Sequence, residues 1–154
     1  MRVFRIAKAS HIRDLSGSGA RLYGGRWNRK GIPVIYTSES RSLATVEYVV
    51  HVPLSIVPKD LRIACLEIPD EIAPEEISIA DLPGRWQDYP APPELAKIGT
   101  QWALAKKQLL LRVPSAVVEN EFNILINPVH PQSARVRISR VERCTLDKRL
   151  LRQK

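Results

Sequence analysis

Between Arg21 and Glu47 the chain gathers guanidinium groups, bendable backbone, an aromatic ring and a carboxylate. Arg21, Arg26 and Arg29 flank the Gly24-Gly25 pair, an apolar run beginning at Ile32 ends on Tyr36, and Glu47 follows after a serine-rich turn. A planar guanidinium makes paired, charge-assisted hydrogen bonds to phosphate oxygens, and glycine lets peptide N–H groups come close to an anion. These parts suit an anion site with an acid beside it. Two nucleotide-loop patterns fail nearby. Leu22 stands where the third glycine of GxGxxG belongs after Gly17 and Gly19, and Gly25-Arg26 follows Gly24 where a phosphate loop needs Lys-Ser/Thr.

The elements that must position these groups follow from periodicity. A glycine-bent loop leads from Gly19 through Arg21, a short strand covers 32–36, and a helix opens near Ser38 or Ser40. Leu43, Val46, Glu47 and Val50 have helical spacing, which puts Glu47 on or beside the inward face. An unpaired buried charge is costly, so that carboxylate needs a cation, donors or a wet cavity. Pro53 and Pro58 end the helix, and His51 before them reads as a helix-end residue.

Elsewhere, strands are expected near 3–7, 61–68, 112–118, 121–131 and 136–142, and the longest helix over 94–111. In that helix Leu95, Ile98, Trp102, Ala105 and Leu109 form an apolar stripe. Residues 69–93 are a proline-rich surface excursion holding Trp86 and Tyr89, either of which could stack on a base or pin the segment to the core. Ser115 has no GxSxG around it and is expected to donate a hydrogen bond rather than attack. His130, between two prolines, reads as structural. Short strands interleaved with two or three helices, without regular βαβ alternation, define an α+β fold with about six strands in a mixed, mostly antiparallel sheet.

The 154 residues fit a single domain, 1–154, with a basic tail over 148–154 that is expected to fray. A net charge of +8 favours an anionic partner without separating nucleic acid, phosphorylated small molecule and acidic protein. No apolar run has the length of a membrane span and the start lacks a signal-peptide pattern, so the expected location is cytoplasmic with no membrane partner. Cys65 and Cys144 lack disulfide-framework or ligand spacing, and no metal site is expected.

Several ordered motifs resemble the RES-domain family, the toxin half of bacterial toxin–antitoxin pairs. They are the Val3-Phe4-Arg5-Ile6 start, Tyr23-Gly-Gly-Arg-Trp-Asn28 with Gly31, Tyr36-Thr-Ser38, Leu43-Ala44 with Glu47, Val113-Pro-Ser-Ala116, and 121–128 with His130-Pro131. The family is named for an Arg, a Glu and a Ser, which match Arg26, Glu47 and Ser115 here. The resemblance implies a fold similar to ADP-ribosyltransferase toxins, NAD⁺ as substrate rather than bound cofactor, and a cognate Xre-type antitoxin through which DNA is met only indirectly. A homo-oligomer is compatible with it.

On these residues the chemistry is coherent. Arg26, helped by Arg21 or Arg29, suits the diphosphate, and Gly25 allows close backbone approach. Breaking the nicotinamide–ribose bond turns a pyridinium into a neutral molecule, so no general acid is required, and a single Glu47 can stabilise the oxocarbenium-like transition state. Tyr36 or Tyr23 would stack on the cationic ring, Ser115 would hydrogen-bond a phosphate or ribose oxygen, and Asn123 would orient a partner beside it. The acceptor of the ribosyl group is then water or inorganic phosphate. The alternatives are a protein ADP-ribosyltransferase and a non-catalytic basic nucleic-acid-binding module, the latter opposed by the lack of a recognition helix or aromatic RNA platform.

Overall fold

The structure is a computed structural model and describes residues 1–151. Seven strands form one sheet: β1 (Arg2–Lys8), β2 (Ile35–Ser38), β3 (Leu61–Glu67), β4 (Glu75–Glu76), β5 (Leu110–Pro114), β6 (Phe122–Ile126) and β7 (Arg137–Arg143). Their order is β4-β5-β6-β2-β1-β3-β7, antiparallel except for the short β4–β5 pair. The helices are α1 (Ser18–Tyr23), α2 (Arg41–His51) and α3 (Pro93–Ala105). The expected α+β class, with a mixed, mostly antiparallel sheet and three helices, is what the chain adopts.

Strand alternation divides the apolar residues between two cores. Ile35, Leu110, Ile124 and Ile126 join Val3, Ala64 and Leu66 in one cluster. Their neighbours Leu111, Val113 and Leu125 join Trp27, Trp86, Leu95 and Trp102 in the other. Tyr36 packs against this second cluster. Asn123, one pleat period from Leu125 on β6, shares that face, where the polar site is built.

Four expectations are corrected. Residues 18–23 are helical rather than loop, because α1 makes Arg21 N–H→Gly17 O and Gly24 N–H→Ala20 O hydrogen bonds that local glycine content hides. The strand expected over 32–36 is Ile35–Ser38, where the ladder to β6 forms. The long helix stops at Ala105: Lys106 takes a left-handed conformation (φ 51°), and Leu109 and Leu110 are drawn into the sheet core. Leu109 is buried, but it is not part of a helical stripe. Finally, the inward face of α2 keeps Leu43 and Glu47 but not Val50. Ala44, Glu47, Tyr48 and His51 line the cleft, whereas Val50 is 52% exposed.

α2 begins where the sequence suggests, since Ser40 caps it by accepting the Leu43 N–H at 3.0 Å. His130 is structural as expected, with Nδ1 accepting the Gln132 N–H at 3.1 Å. Of the basic tail, Lys148–Leu151 forms a short 3-10 turn, and 152–154 lie outside the described residues. Among the described residues no helix is long and apolar enough to cross a membrane, and no group of three or more His, Cys, Asp or Glu could hold a metal ion.

Candidate active site

One cleft of about 800 Å³ opens on the face that carries α2, within the size range of small-molecule and cofactor sites. Its walls come from β1, α1, the 24–27 loop, β2, α2, residues 89–91, Pro114, 116–117 and Asn123. Glu47 stands on its α2 wall with a side chain 19% exposed. Its Oε1 accepts hydrogen bonds from Ser115 Oγ at 2.8 Å and Asn123 Nδ2 at 2.6 Å. Ser115 Oγ in turn accepts the N–H groups of Val117 and Val118, and Ser38 Oγ donates to Asn123 Oδ1 at 2.7 Å, so both partners of Glu47 are themselves held. The other oxygen, Oε2, lies 3.7 Å from His51 Nε2, one turn along α2. Burial pushes the Glu47 carboxyl up, but the neighbouring His51 imidazole and the hydrogen bonds from Asn123 and Ser115 outweigh it and hold the group below the usual carboxylate range.

Arg26 lines the same cleft from the 24–27 loop. Nη1 donates to Trp86 O at 2.7 Å and Nη2 to Asp88 O at 3.1 Å, which latches the proline-rich excursion to the glycine loop. Burial lowers the Arg26 pKa and the nearby charge of Glu47 opposes that shift, so cation and acid share one electrostatic neighbourhood. Its remaining N–H donors leave Arg26 capable of holding an anion in the cleft.

The loop carrying Arg26 rests on Tyr36 and Asn28. Tyr36 Oη donates to Asn28 Oδ1 at 2.7 Å and accepts the Trp27 N–H at 3.0 Å, while Asn28 Nδ2 donates to the carbonyls of Ala20, Arg29 and Ile32. A Cβ on Gly25 would lie 2.7 Å from Tyr36 Oη, so glycine is required there for close packing against the tyrosine. Burial raises the Tyr36 hydroxyl above its ordinary pKa, which keeps it a neutral donor. Tyr36→Phe is expected to leave the Trp27 N–H and Asn28 Oδ1 without this partner, lowering stability by about 1–3 kcal/mol in denaturant unfolding. Unchanged stability with lost activity would instead assign the hydroxyl to substrate.

Of the residues singled out from sequence, Arg26, Glu47, Ser115, Asn123, Gly25, Tyr36 and Tyr23 assemble at or immediately behind the cleft. Ser115 is only 2% exposed, and its hydroxyl donates to Glu47 instead of reaching the phosphate or ribose oxygen expected from sequence. Tyr36 has its hydroxyl committed to the loop, and Tyr23 stands at the mouth, 75% exposed. Arg21 is not brought in: it is an exposed residue of α1 outside the cleft lining, because the helix turns its side chain away from the wall that Ala20 and Tyr23 form. Arg29 is likewise outside the lining. His51 was legible as a helix end; its four-residue spacing from Glu47 was the signal that it also faces the site. Asn28 carried no signal beyond its place in the glycine-rich motif.

An acid held by two donors and a guanidinium line one cleft of cofactor size in an α+β fold, a site suited to an anionic small molecule. The RES domain model matches residues 2–147. A protein named "Prs ADP-ribosylating toxin" from Sphingobium sp. is 36% identical over 154 residues, covering 99% of this chain and 96% of that protein. A "Toxin Res" from Pseudomonas putida is 38% identical, covering 93% and 97%, and another from Yersinia enterocolitica is 37% identical, covering 84% and 86%. In fold, the chain superposes on one from the M. tuberculosis MbcT–MbcA toxin–antitoxin complex with a TM-score of 0.74 at 19% identity, covering 94% of this chain and 84% of that one. The chain belongs to the RES-domain family of toxins.

Proposed function

We propose that this toxin consumes NAD⁺, cleaving the bond between nicotinamide and ribose and passing the ribosyl group to water or inorganic phosphate. The observation that carries the reading is the Glu47 carboxylate, ionised and oriented by Ser115 and Asn123 on the wall of a cleft that also holds Arg26. In the reaction the C1′–N bond breaks and its electron pair returns to the ring nitrogen, so nicotinamide leaves neutral. The positive charge that grows on the ribose is stabilised by Glu47. A water or phosphate oxygen then bonds to C1′; attacking water loses its proton to solvent. Arg26 holds the diphosphate through donors not committed to Trp86 and Asp88.

A partner that silences such an activity belongs with this reading. The M. tuberculosis relative in fold was solved with its antitoxin. We assign this chain a cognate antitoxin of Xre type that covers the cleft, with DNA reached only through that protein. The name of the Sphingobium relative favours a second reading in which the acceptor is a protein side chain.

Nicotinamide release by the purified, antitoxin-free chain tests the reading, with and without phosphate and with NAD⁺ labelled in its ADP-ribose part. Release that needs phosphate makes phosphate the acceptor, and release without it makes water the acceptor. Label recovered on protein selects the second reading. Arg26→Ala should lose most of the release while the chain still melts cooperatively. A folded wild-type chain that releases no nicotinamide and labels no protein would remove NAD⁺ from the account.

A further inference from the structure

Tyr89 is 85% exposed and borders the cleft, yet none of the chemistry above uses it. A single exposed aromatic needs no explanation. This one is held in place at the mouth of a binding cavity. Trp86, three residues earlier, is 8% exposed and sunk in the second core, while Arg26 grips the carbonyls of Trp86 and Asp88 at 2.7 and 3.1 Å. Pro90 and Ala91 follow and also line the cleft, and Ala91 packs against the second core. The ring of Tyr89 is therefore presented from a segment anchored on both sides, and an aromatic with few rotatable bonds costs little entropy to stack.

The order of groups matches the order of parts in a dinucleotide. Arg26 and Glu47 line the same cleft, and Arg26 donates to the carbonyl of Asp88, the residue that precedes Tyr89. In NAD⁺ the diphosphate lies between the ribose of the scissile bond and the adenosine. With the scissile ribose at Glu47 and the diphosphate at Arg26, the adenosine falls on the side of the Arg26-bound segment. Two exposed aromatics border the cleft, Tyr23 and Tyr89, and the one carried by the Arg26-bound segment is Tyr89.

We propose that Tyr89 stacks on the adenine ring of NAD⁺ and gives the cleft its preference for the adenylate-bearing dinucleotide; this rests on the NAD⁺ reading above. Stacking uses the ring and not the hydroxyl, and every base offers a π-face, so the contact adds affinity without touching the bond that breaks. Adenine recognition is thereby separated from catalysis.

The test compares nicotinamide release from NAD⁺ and from nicotinamide mononucleotide, which lacks the adenylate, by the wild type, Tyr89→Ala and Tyr89→Phe. Tyr89→Ala should raise KM for NAD⁺ roughly tenfold at nearly unchanged kcat, and Tyr89→Phe should restore the wild-type value. The Ala effect should vanish with nicotinamide mononucleotide. An equal KM rise for both substrates would make Tyr89 a general support of the cleft, and no rise with NAD⁺ would remove it from binding; either result overturns the assignment. A wild type that acts on neither substrate defeats the NAD⁺ reading itself. A wild type active on NAD⁺ and matched by Tyr89→Ala defeats the stacking proposal alone.

Discussion

Glu47→Gln is expected to slow nicotinamide release by about two to three orders of magnitude while leaving NAD⁺ affinity within about threefold. The substitution keeps the size of the side chain and an oxygen able to accept from Ser115 and Asn123, so the local packing survives. It removes the negative charge that the growing ribosyl cation needs, and that charge matters only as the bond breaks. Single-turnover rates and equilibrium binding, measured separately, check the split. Equal losses in rate and affinity would make Glu47 a binding residue. The pH dependence follows from the same environment. Burial raises the carboxyl, but the neighbouring His51 imidazole and the hydrogen bonds from Asn123 and Ser115 prevail, so its folded pKa lies below the ordinary glutamate value. The linked stability is therefore present above the unfolded pKa and is lost as pH falls through the lowered folded one. Activity should persist as pH falls past the usual carboxylate range and fail when Glu47 is protonated.

Gly99→Ala is expected to destabilise the chain by at least about 1–3 kcal/mol and to displace the loop that carries Arg26. A Cβ at position 99 would lie 1.9 Å from the carbonyl oxygen of Trp27 and 2.8 Å from its carbonyl carbon, so α3 packs backbone to backbone against the site loop. Next to it, Thr100 Oγ1 accepts the Arg29 N–H at 3.0 Å. The obstacle is backbone, which cannot swing aside as a flexible side chain would. Either α3 moves off the sheet or residues 26–29 shift, and both outcomes disturb the latch between Arg26 and residues 86–88. Denaturant unfolding and nicotinamide release on the same preparation should fall together. A variant of wild-type stability and activity would show that α3 does not set the position of the loop.

Local pattern was sufficient for some elements and blind to others. The Ser40 cap and the helical spacing after it placed α2, and alternation placed β1, β3 and β7 within a residue or two. It failed over residues 18–23, where the Ser16-Gly-Ser-Gly19 run disguises the start of a helical turn. It also failed after Ala105, where a leucine run continues the helical pattern but the sheet claims Leu110 and Leu111 as strand. The parallel β4–β5 pair involves only Glu75 and Glu76 on β4, too few residues for any periodicity to register.

The sequence by itself determined which chemical groups are available: a glycine-flanked arginine, an acid on a half-buried helix face, and a serine and an asparagine far along the chain. It carried the family motifs as well, because residue type and spacing are one-dimensional properties. Only the tertiary structure decided how those groups meet. Ser115 and Asn123 reach Glu47 across 68 and 76 residues of chain, and Arg26 reaches Trp86 and Asp88 across 60 and 62. It also decided that Tyr36 supports the loop, that Arg21 points away from the cleft and that Tyr89 stands at its mouth. Contacts of that range depend on sheet order and helix rotation, which are fixed by the packing of two cores and leave no trace in the local run of residues.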